Sequence, residues 1–184
     1  RADWDVALYS AEIDNEILQL NIGPDIPAAT FNADKTRHSG IEAGLSLDLT
    51  EAITLRQIYQ YSDFAFEDDA QYGNNQLPVV PEHVYRAELR VSQGAFQIAP
   101  NIEWIPDGAW ADYTNTTRTD GYVLAGVSAS WSAADNIDLF LDARNLFDEK
   151  AAGDISATVI ATPNARIYQP VERRALFAGV RTRF

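Results

Sequence analysis

Apolar and polar residues alternate along most of this chain with a period of two, the spacing of strands whose two faces meet different surroundings. Ile41, Ala43, Leu45, Leu47 and Leu49 alternate with Glu42, Gly44, Ser46 and Asp48. Tyr85, Ala87, Leu89 and Val91 alternate with Arg86, Glu88 and Arg90. Phe96, Ile98, Pro100, Ile102 and Trp104 form another stripe, facing away from Gln97, Asn101 and Glu103. Val123 to Trp131 and Ile137 to Ala143 continue the rhythm. Trp4, Val6 and Leu8 open the chain, and Leu176, Ala178, Val180, Thr182 and Phe184 close it. The opening stripe loses phase near 12–15, and a slip between Tyr61 and Phe64 reads as a bulge. The pattern predicts eight strands, near 2–20, 36–49, 53–66, 83–92, 95–105, 120–132, 136–146 and 173–184. No segment of ten or more residues keeps a helical stripe.

The connections sharpen this picture. Short turns fall at 50–52, 92–94 and 133–135, and long loops near 21–35, 67–82, 106–119 and 147–172. Short and long alternate throughout, as in outer-membrane barrels with tight periplasmic turns and long outer loops. A soluble sandwich or lipocalin-like barrel has no reason to sort loops by end. Pro78, Pro81, Pro106 and Pro163 fall in the long loops, where no ladder donor is lost. Pro100 sits inside a strand, so a bulge or a sheet edge is expected there. Trp4, Phe96, Trp131 and Phe184 lie near the short-turn ends, and Tyr59, Tyr61, Tyr85 and Trp104 nearer the long-loop ends. Two aromatic belts around an apolar band suit a membrane wall. The expected fold is all-β, an antiparallel up-and-down transmembrane β-barrel portion of about eight meandering strands.

Composition narrows the function. At 184 residues and 46% apolar, the chain is not of a disordered class. No apolar run approaches the ~20 residues of a spanning helix. There is no cysteine, hence no disulfide, thiolate metal site or cysteine nucleophile. There is no methionine and no signal peptide, so the N-terminus is expected to be a processing product or a cut. The formal charge of −13 and the lack of a basic face argue against nucleic acid as a partner. Glu67-Asp68-Asp69 reads as a solvated loop or as a mouth that attracts cations.

Candidate chemistry is sparse. His38 and His83 have no histidine partner at metal-ligand spacing and read as solvated or lumen-facing. No catalytic or phosphate-binding motif occurs, so no enzyme, cofactor or metal site is expected. Asp138, Asp142 and Arg144 share a strand face. That arrangement serves either a glycosidase acid and base or a lumen wall with Asp–Arg pairs, and the barrel favours the wall.

Four motifs, in order, carry a resemblance. Asn32 to Glu42 (NADKTRHSGIE), Leu77 to His83 (LPVVPEH), Asn145 to Asp148 (NLFD) and Arg174 to Phe184 (RALFAGVRTRF) resemble segments of TonB-dependent outer-membrane receptors. Ala151 and Ala152 stand where that family often has a tyrosine. The resemblance implies that residues 1–184 are the C-terminal part of the barrel, with the plug domain and N-terminal strands absent. It implies energised uptake of a scarce large nutrient, an iron–siderophore chelate foremost. Its implied partners are outer-membrane lipid, the receptor's own plug domain, the TonB complex and the barrel-assembly machinery. Arg86, Glu88, Arg90, Gln97, Asn101, Glu103, Asp138, Asp142 and Arg144 would face the lumen and the plug. Outer-loop ligand contacts would come from Phe64, Phe66, Tyr72, Trp110, Tyr113 and Asn115. Leu176, Ala178, Val180, Thr182 and Phe184 would form the assembly signal. Two other readings stay open: a complete small eight-strand outer-membrane barrel (adhesin, structural or lipid-modifying) and a soluble carbohydrate-binding β-sandwich.

Overall fold

The computed structural model describes residues 1–23, 28–162 and 164–183; the expected placements of Pro163 and Phe184 fall outside them. The strands are β1 (Ala2–Leu20), β2 (Ala29–Asp48), β3 (Ile53–Phe66), β4 (His83–Gln93), β5 (Phe96–Ile105), β6 (Tyr122–Ala134), β7 (Ile137–Arg144), β8 (Ala152–Ile155), β9 (Tyr168–Pro170) and β10 (Ala175–Thr182). β1 to β7 and then β10 pair in chain order as one eight-stranded antiparallel meander, and β8–β9 form a separate hairpin. That hairpin was not legible in the stripes. β2 starts at Ala29 rather than near 36, which shortens the first long loop.

Register turns the stripes into continuous faces. Trp4, Leu45, Gln57, Ala87, Ile102 and Ala125 stand in one cross-strand row. Tyr59, Tyr85, Trp104 and Val123 stand in another, and Phe96 stacks on Trp131 at 5.4 Å. Among the described residues none covers this apolar face: Trp4 is 73% exposed, Leu8 75% and Leu176 69%. Burial of apolar area is worth about 25 cal/mol per Å², so a face like this is stable only against an apolar medium.

Two local expectations are corrected. The slip at Tyr61–Phe64 is not a bulge, because β2 and β3 pair without a shift from Thr36↔Phe66 to Asp48↔Thr54. The two faces exchange character instead. Beyond Tyr61 the outward position is Asp63, while the opposite face carries Phe64 and the buried Phe66. A register shift does occur, between Ser132 and Ala134. Pro100 lies at neither a bulge nor an edge. β5 is flanked by β4 and β6, and the β4 ladder skips from Glu88↔Asn101 to Val91↔Ile98, so no partner faces the missing N–H.

The lost phase in β1 has a backbone cause. Asn15 has φ of +56° and, with Asp34 opposite, is left out of the ladder. Across this step the buried positions of β2 change parity, from Gly40 and Thr36 to Ala33. Glu16 therefore turns to the face of Thr36 and His38. Its carboxylate accepts from Thr36 Oγ1 at 2.5 Å and lies 3.0 Å from His38 Nε2.

Candidate functional site

Two surfaces carry the candidate residues: the packed cap of long loops and the polar face of the sheet. The cap holds the protein's core. Phe66, Tyr72, Leu77, Tyr113, Ala33 and Ala157 are buried together, with Leu18, Leu20, Phe31, Phe64 and Val159 packed around them. Ring centroids lie 4.8 Å apart for Phe66–Tyr72, 5.0 Å for Phe31–Tyr113 and 5.5 Å for Tyr72–Tyr113. A second cluster joins Ala109 and Ala111 to Ile155, Ala161 and Ile167 of the last loop.

Polar groups pin the loop 106–121 to its neighbours. The fully buried Asp112 accepts from Thr116 N at 2.8 Å, Thr116 Oγ1 at 2.7 Å and Ala161 N at 2.9 Å. Asn115 accepts from Gln76 N at 2.7 Å and donates to Gln76 O at 2.9 Å. Tyr113 donates its hydroxyl to Gln19 O at 2.5 Å, and burial pushes its phenol up to about 12. Burial pulls the Asp69 carboxyl upward, yet the backbone N–H groups of Tyr72, Gln71 and Asp34 together hold it below the usual carboxylate range.

The Asn-Leu-Phe-Asp stretch is a clamp on β10. Asn145 and Asp148 both take positive φ, 45° and 56°. Asn145 Nδ2 donates to Glu149 O at 3.0 Å and Glu172 O at 2.8 Å. Asp148 accepts from Arg173 Nε at 2.7 Å and from Arg174 N at 3.2 Å. The Arg173 side chain, then the Arg174 backbone N–H, hold its carboxyl well below the usual range.

All nine lumen candidates fall on the polar face, opposite the stripes. Arg86 bridges strands to Glu103 at 2.6 Å. Arg90 pairs with Glu88 at 2.8 Å and Arg144 with Asp142 at 2.8 Å, each within its own strand. Asp138 is bridged across strands by Arg183 at 3.1 Å. Gln97 and Asn101 stand beside Ser130 and Gly126. His38 also lies on this face and stacks on Phe64 at 4.3 Å. His83 lies on the apolar face instead, at its rim, with Nδ1 2.9 Å from Tyr59 Oη. Of the last-strand signal, Leu176, Ala178, Val180 and Thr182 lie on the apolar face opposite Ala143, Leu141, Leu139 and Ile137.

The outer-loop ligand set divides. Phe66, Tyr72 and Tyr113 are 2%, 6% and 3% exposed, so as placed they offer no surface to a ligand. Both termini of the Asn115 amide are used within the cap. As placed, these four pack and pin the cap. Phe64 and Trp110 are only partly buried, with Arg118 5.5 Å over the Trp110 ring. The residues that the stripes missed, Asp112 above all, had one signal available. Ala109, Ala111 and Tyr113 alternate, as do Ile155, Ala157, Val159 and Ala161. A solvated loop has no reason to keep a period of two.

A family model described as TonB dependent receptor-like, beta-barrel, matches residues 1–146. The probable TonB-dependent siderophore receptor PiuA of Acinetobacter baumannii is 24% identical over 78% of this chain and 20% of its own length. The vitamin B12 transporter BtuB of Photobacterium profundum is 26% identical over 80% of this chain and 24% of its own length. The chain thus spans about a fifth to a quarter of these curated relatives. Among solved structures, the ferric yersiniabactin uptake receptor FyuA of Yersinia pestis superposes with a TM-score of 0.80 at 16% identity, over 100% of this chain and 28% of that one.

Proposed function

The chain belongs to the TonB-dependent receptor-like β-barrel family, and from that premise we propose that it builds wall and outer cap of an outer-membrane receptor for energised nutrient uptake. The observation that carries this reading is the division of the sheet. One face is apolar and uncovered, the other is polar and ion-paired, and the long loops pack over one end only. A transporter wall between lipid and an aqueous lumen needs that division. The polar face seats the receptor's own plug domain, with Arg86, Glu88, Arg90, Gln97, Asn101, Glu103, Asp138, Asp142 and Arg144 in contact. Phe64 and Trp110 meet the ligand from the wall and the cap. Leu176, Ala178, Val180 and Thr182, with Phe184, engage the barrel-assembly machinery, and the TonB complex supplies energy through the rest of the receptor.

A large barrel fits better than a closed eight-strand one. Among the described residues β1 pairs only with β2, and β10 only with β7. β1 has 19 residues and β10 has 8, a poor match for sealing one against the other. A long unpaired edge calls for a further strand. The cargo proposed is an iron–siderophore chelate, since PiuA and FyuA are named for siderophore and ferric-chelate uptake. BtuB, named for vitamin B12, sets the competing cargo. Deleting the full-length gene should abolish growth on one chelate among catecholate, hydroxamate and mixed-donor iron sources under iron limitation. Unchanged growth on every chelate, with cobalamin uptake lost, would replace the cargo. Unchanged uptake of all of them would sink the transporter reading.

A further inference from the structure

One turn in the cap holds its residue in a backbone conformation that residue disfavours. Among the described residues, six non-glycine residues take positive φ, and five of them are Asn or Asp, whose short polar side chains tolerate it. The sixth is Val79, at φ of +74°. A branched Cβ makes this a strained place for valine. Val79 follows Pro78 in a turn, at the position where a left-handed residue is ordinarily glycine. Its neighbours impose the conformation. Pro78 and Pro81 fix their own φ and keep Leu77 and Val80 out of the helical region, so the change of direction falls on Val79.

Ties at both ends and in the middle hold the strain in place. Leu77 N donates to Phe64 O at 2.7 Å and Glu82 O accepts from Ser62 N at 2.9 Å, so both ends of the segment 77–82 rest on β3. Between them, Val79 N donates to Trp110 O at 2.8 Å, across to the loop 106–121. A second tie runs between the same two loops. The Glu82 carboxylate accepts from Arg118 Nη2 at 2.9 Å, while Arg118 Nε donates to Gly108 O at 2.8 Å and the guanidinium lies 5.5 Å over the Trp110 ring. A cavity of about 100 Å³ adjoins the turn, lined by Val79, Pro81, Ile105, Ala109, Tyr122 and Ile155. Protein interiors are otherwise close-packed, so this void lets the turn relax without displacing packed atoms.

We propose that residues 77–82 form a strained catch between the loops 67–82 and 106–121. The catch is shut while Arg118 pairs with Glu82, and Val79 returns to an extended backbone when that pair is lost. Strain favours opening, and the two ties to the loop 106–121 oppose it, so the balance is set by both. The shut state occupies the Arg118 guanidinium and the open state frees it. An anionic ligand therefore binds the open state better and shifts the balance toward it. This ligand step rests on the receptor reading above, in which Trp110 meets the cargo; the catch itself does not.

The test is residue-resolved amide exchange on the full-length receptor in detergent, corrected for the intrinsic rate of each residue. Val79→Gly and Val79→Asn relieve the strain and keep the N–H, so exchange at residue 79 should slow about three- to ten-fold. Thr119, whose N–H donates to Ala109 O in the loop 106–121, should slow with it. Glu82→Gln should speed exchange at both positions, up to about five-fold, and adding Val79→Gly should reverse that. Phe66, whose N–H donates to Asn75 O, should keep its protection throughout. Unslowed exchange at residue 79, slowing that does not reach Thr119, or no response to Glu82→Gln would overturn the catch. So would a matching response at Phe66, because the cap would then be loosening as a whole. Ferric tris-catecholate, an anionic chelate, probes the ligand step. It should speed exchange at residue 79 in the parent and not in Arg118→Gln. No acceleration in the parent, or equal acceleration in both, overturns the ligand step and leaves the catch and the receptor reading standing.

Discussion

The wall and the cap obey opposite rules within one chain. In the wall the large apolar side chains point away from all protein, with Trp4, Leu8 and Val180 more than half exposed. In the cap Phe66, Tyr72 and Tyr113 are buried against one another and against strand extensions from β1 and β2. Wall strands are held mainly by their ladders and by the medium beyond them. The loops are held by a small close-packed core of their own. β1 to β3 belong to both regimes, and they change over where Tyr61 gives way to Asp63 on one face and Phe64 arrives on the other. The same alternation therefore means an uncovered apolar face below that level and protein core above it.

The largest effect expected from this contrast is in the cap. Phe66→Ala should cost the cap about 3–5 kcal/mol, the usual loss for deleting a buried ring. Amide exchange at Leu77, Ala111 and Tyr113, which donate to Phe64 O, Thr117 O and Thr158 O, should accelerate by two orders of magnitude or so. The control is Leu89→Ala on the exposed apolar face of the wall, far from the cap core, where the same amides should not respond. Equal responses from the two substitutions would erase the distinction. Next comes the wall itself. Arginine at Leu45, Leu89 or Val127 should lower folded stability in bilayers by about 2–4 kcal/mol at mid-depth. Folding yields in lipid vesicles measure it. Unaltered folding at all three positions would mean that this face does not meet lipid.

Wall and cap were unequally legible in the sequence. Leu45, Leu89 and Val127 announce their face because a strand repeats the same environment every second residue. The sorting of long and short connections, a property of the whole chain, then separated a membrane wall from a sandwich. The cap depends on contacts between residues far apart, such as Tyr113 with Gln19. A loop aromatic has the same local sequence signal whether it meets a ligand or another loop, which is why Phe66, Tyr72 and Tyr113 read as ligand contacts. The inversion at Asn15 was visible only as lost rhythm, because one left-handed residue leaves no repeating trace. Pro100 misled for a related reason. Its missing N–H implies an interruption, and the interruption took the form of skipped ladder pairs rather than a bulge.

A smaller effect separates packing from pinning inside the cap. Asp112→Asn keeps the volume but turns an NH₂ toward donors that the carboxylate satisfied, at Thr116 and Ala161. Stranding one buried donor costs about 1–3 kcal/mol. The loss should appear as faster exchange at Ala161 and at Tyr113, whose N–H bonds Thr158 O in the same loop. Exchange confined to Ala161 would mean that the two loops are pinned independently and that the cap is not one cooperative unit.

The smallest effect tests the seam between cap and strand. Tyr113→Phe keeps the ring in the aromatic cluster and removes only the hydroxyl bond to Gln19 O, about 0.5–1.5 kcal/mol. It also predicts a pH signature with a definite sign. Burial raises the Tyr113 phenol from 10 to about 12, so the neutral phenol is the form the cap accommodates. Its contribution is fully present below pH 10, the ordinary value for an unfolded tyrosine, and is lost as pH rises through about 12. Alkaline loosening of the loop 106–121 should therefore be steeper in the parent than in Tyr113→Phe, while the wall strands of both hold. Fluorescence of a probe placed on that loop, followed from pH 9 upward, compares them. Identical alkaline profiles would show that the phenol is not what ties the cap to β1, and the seam would then rest on apolar packing by Leu18, Leu20 and Phe31 alone.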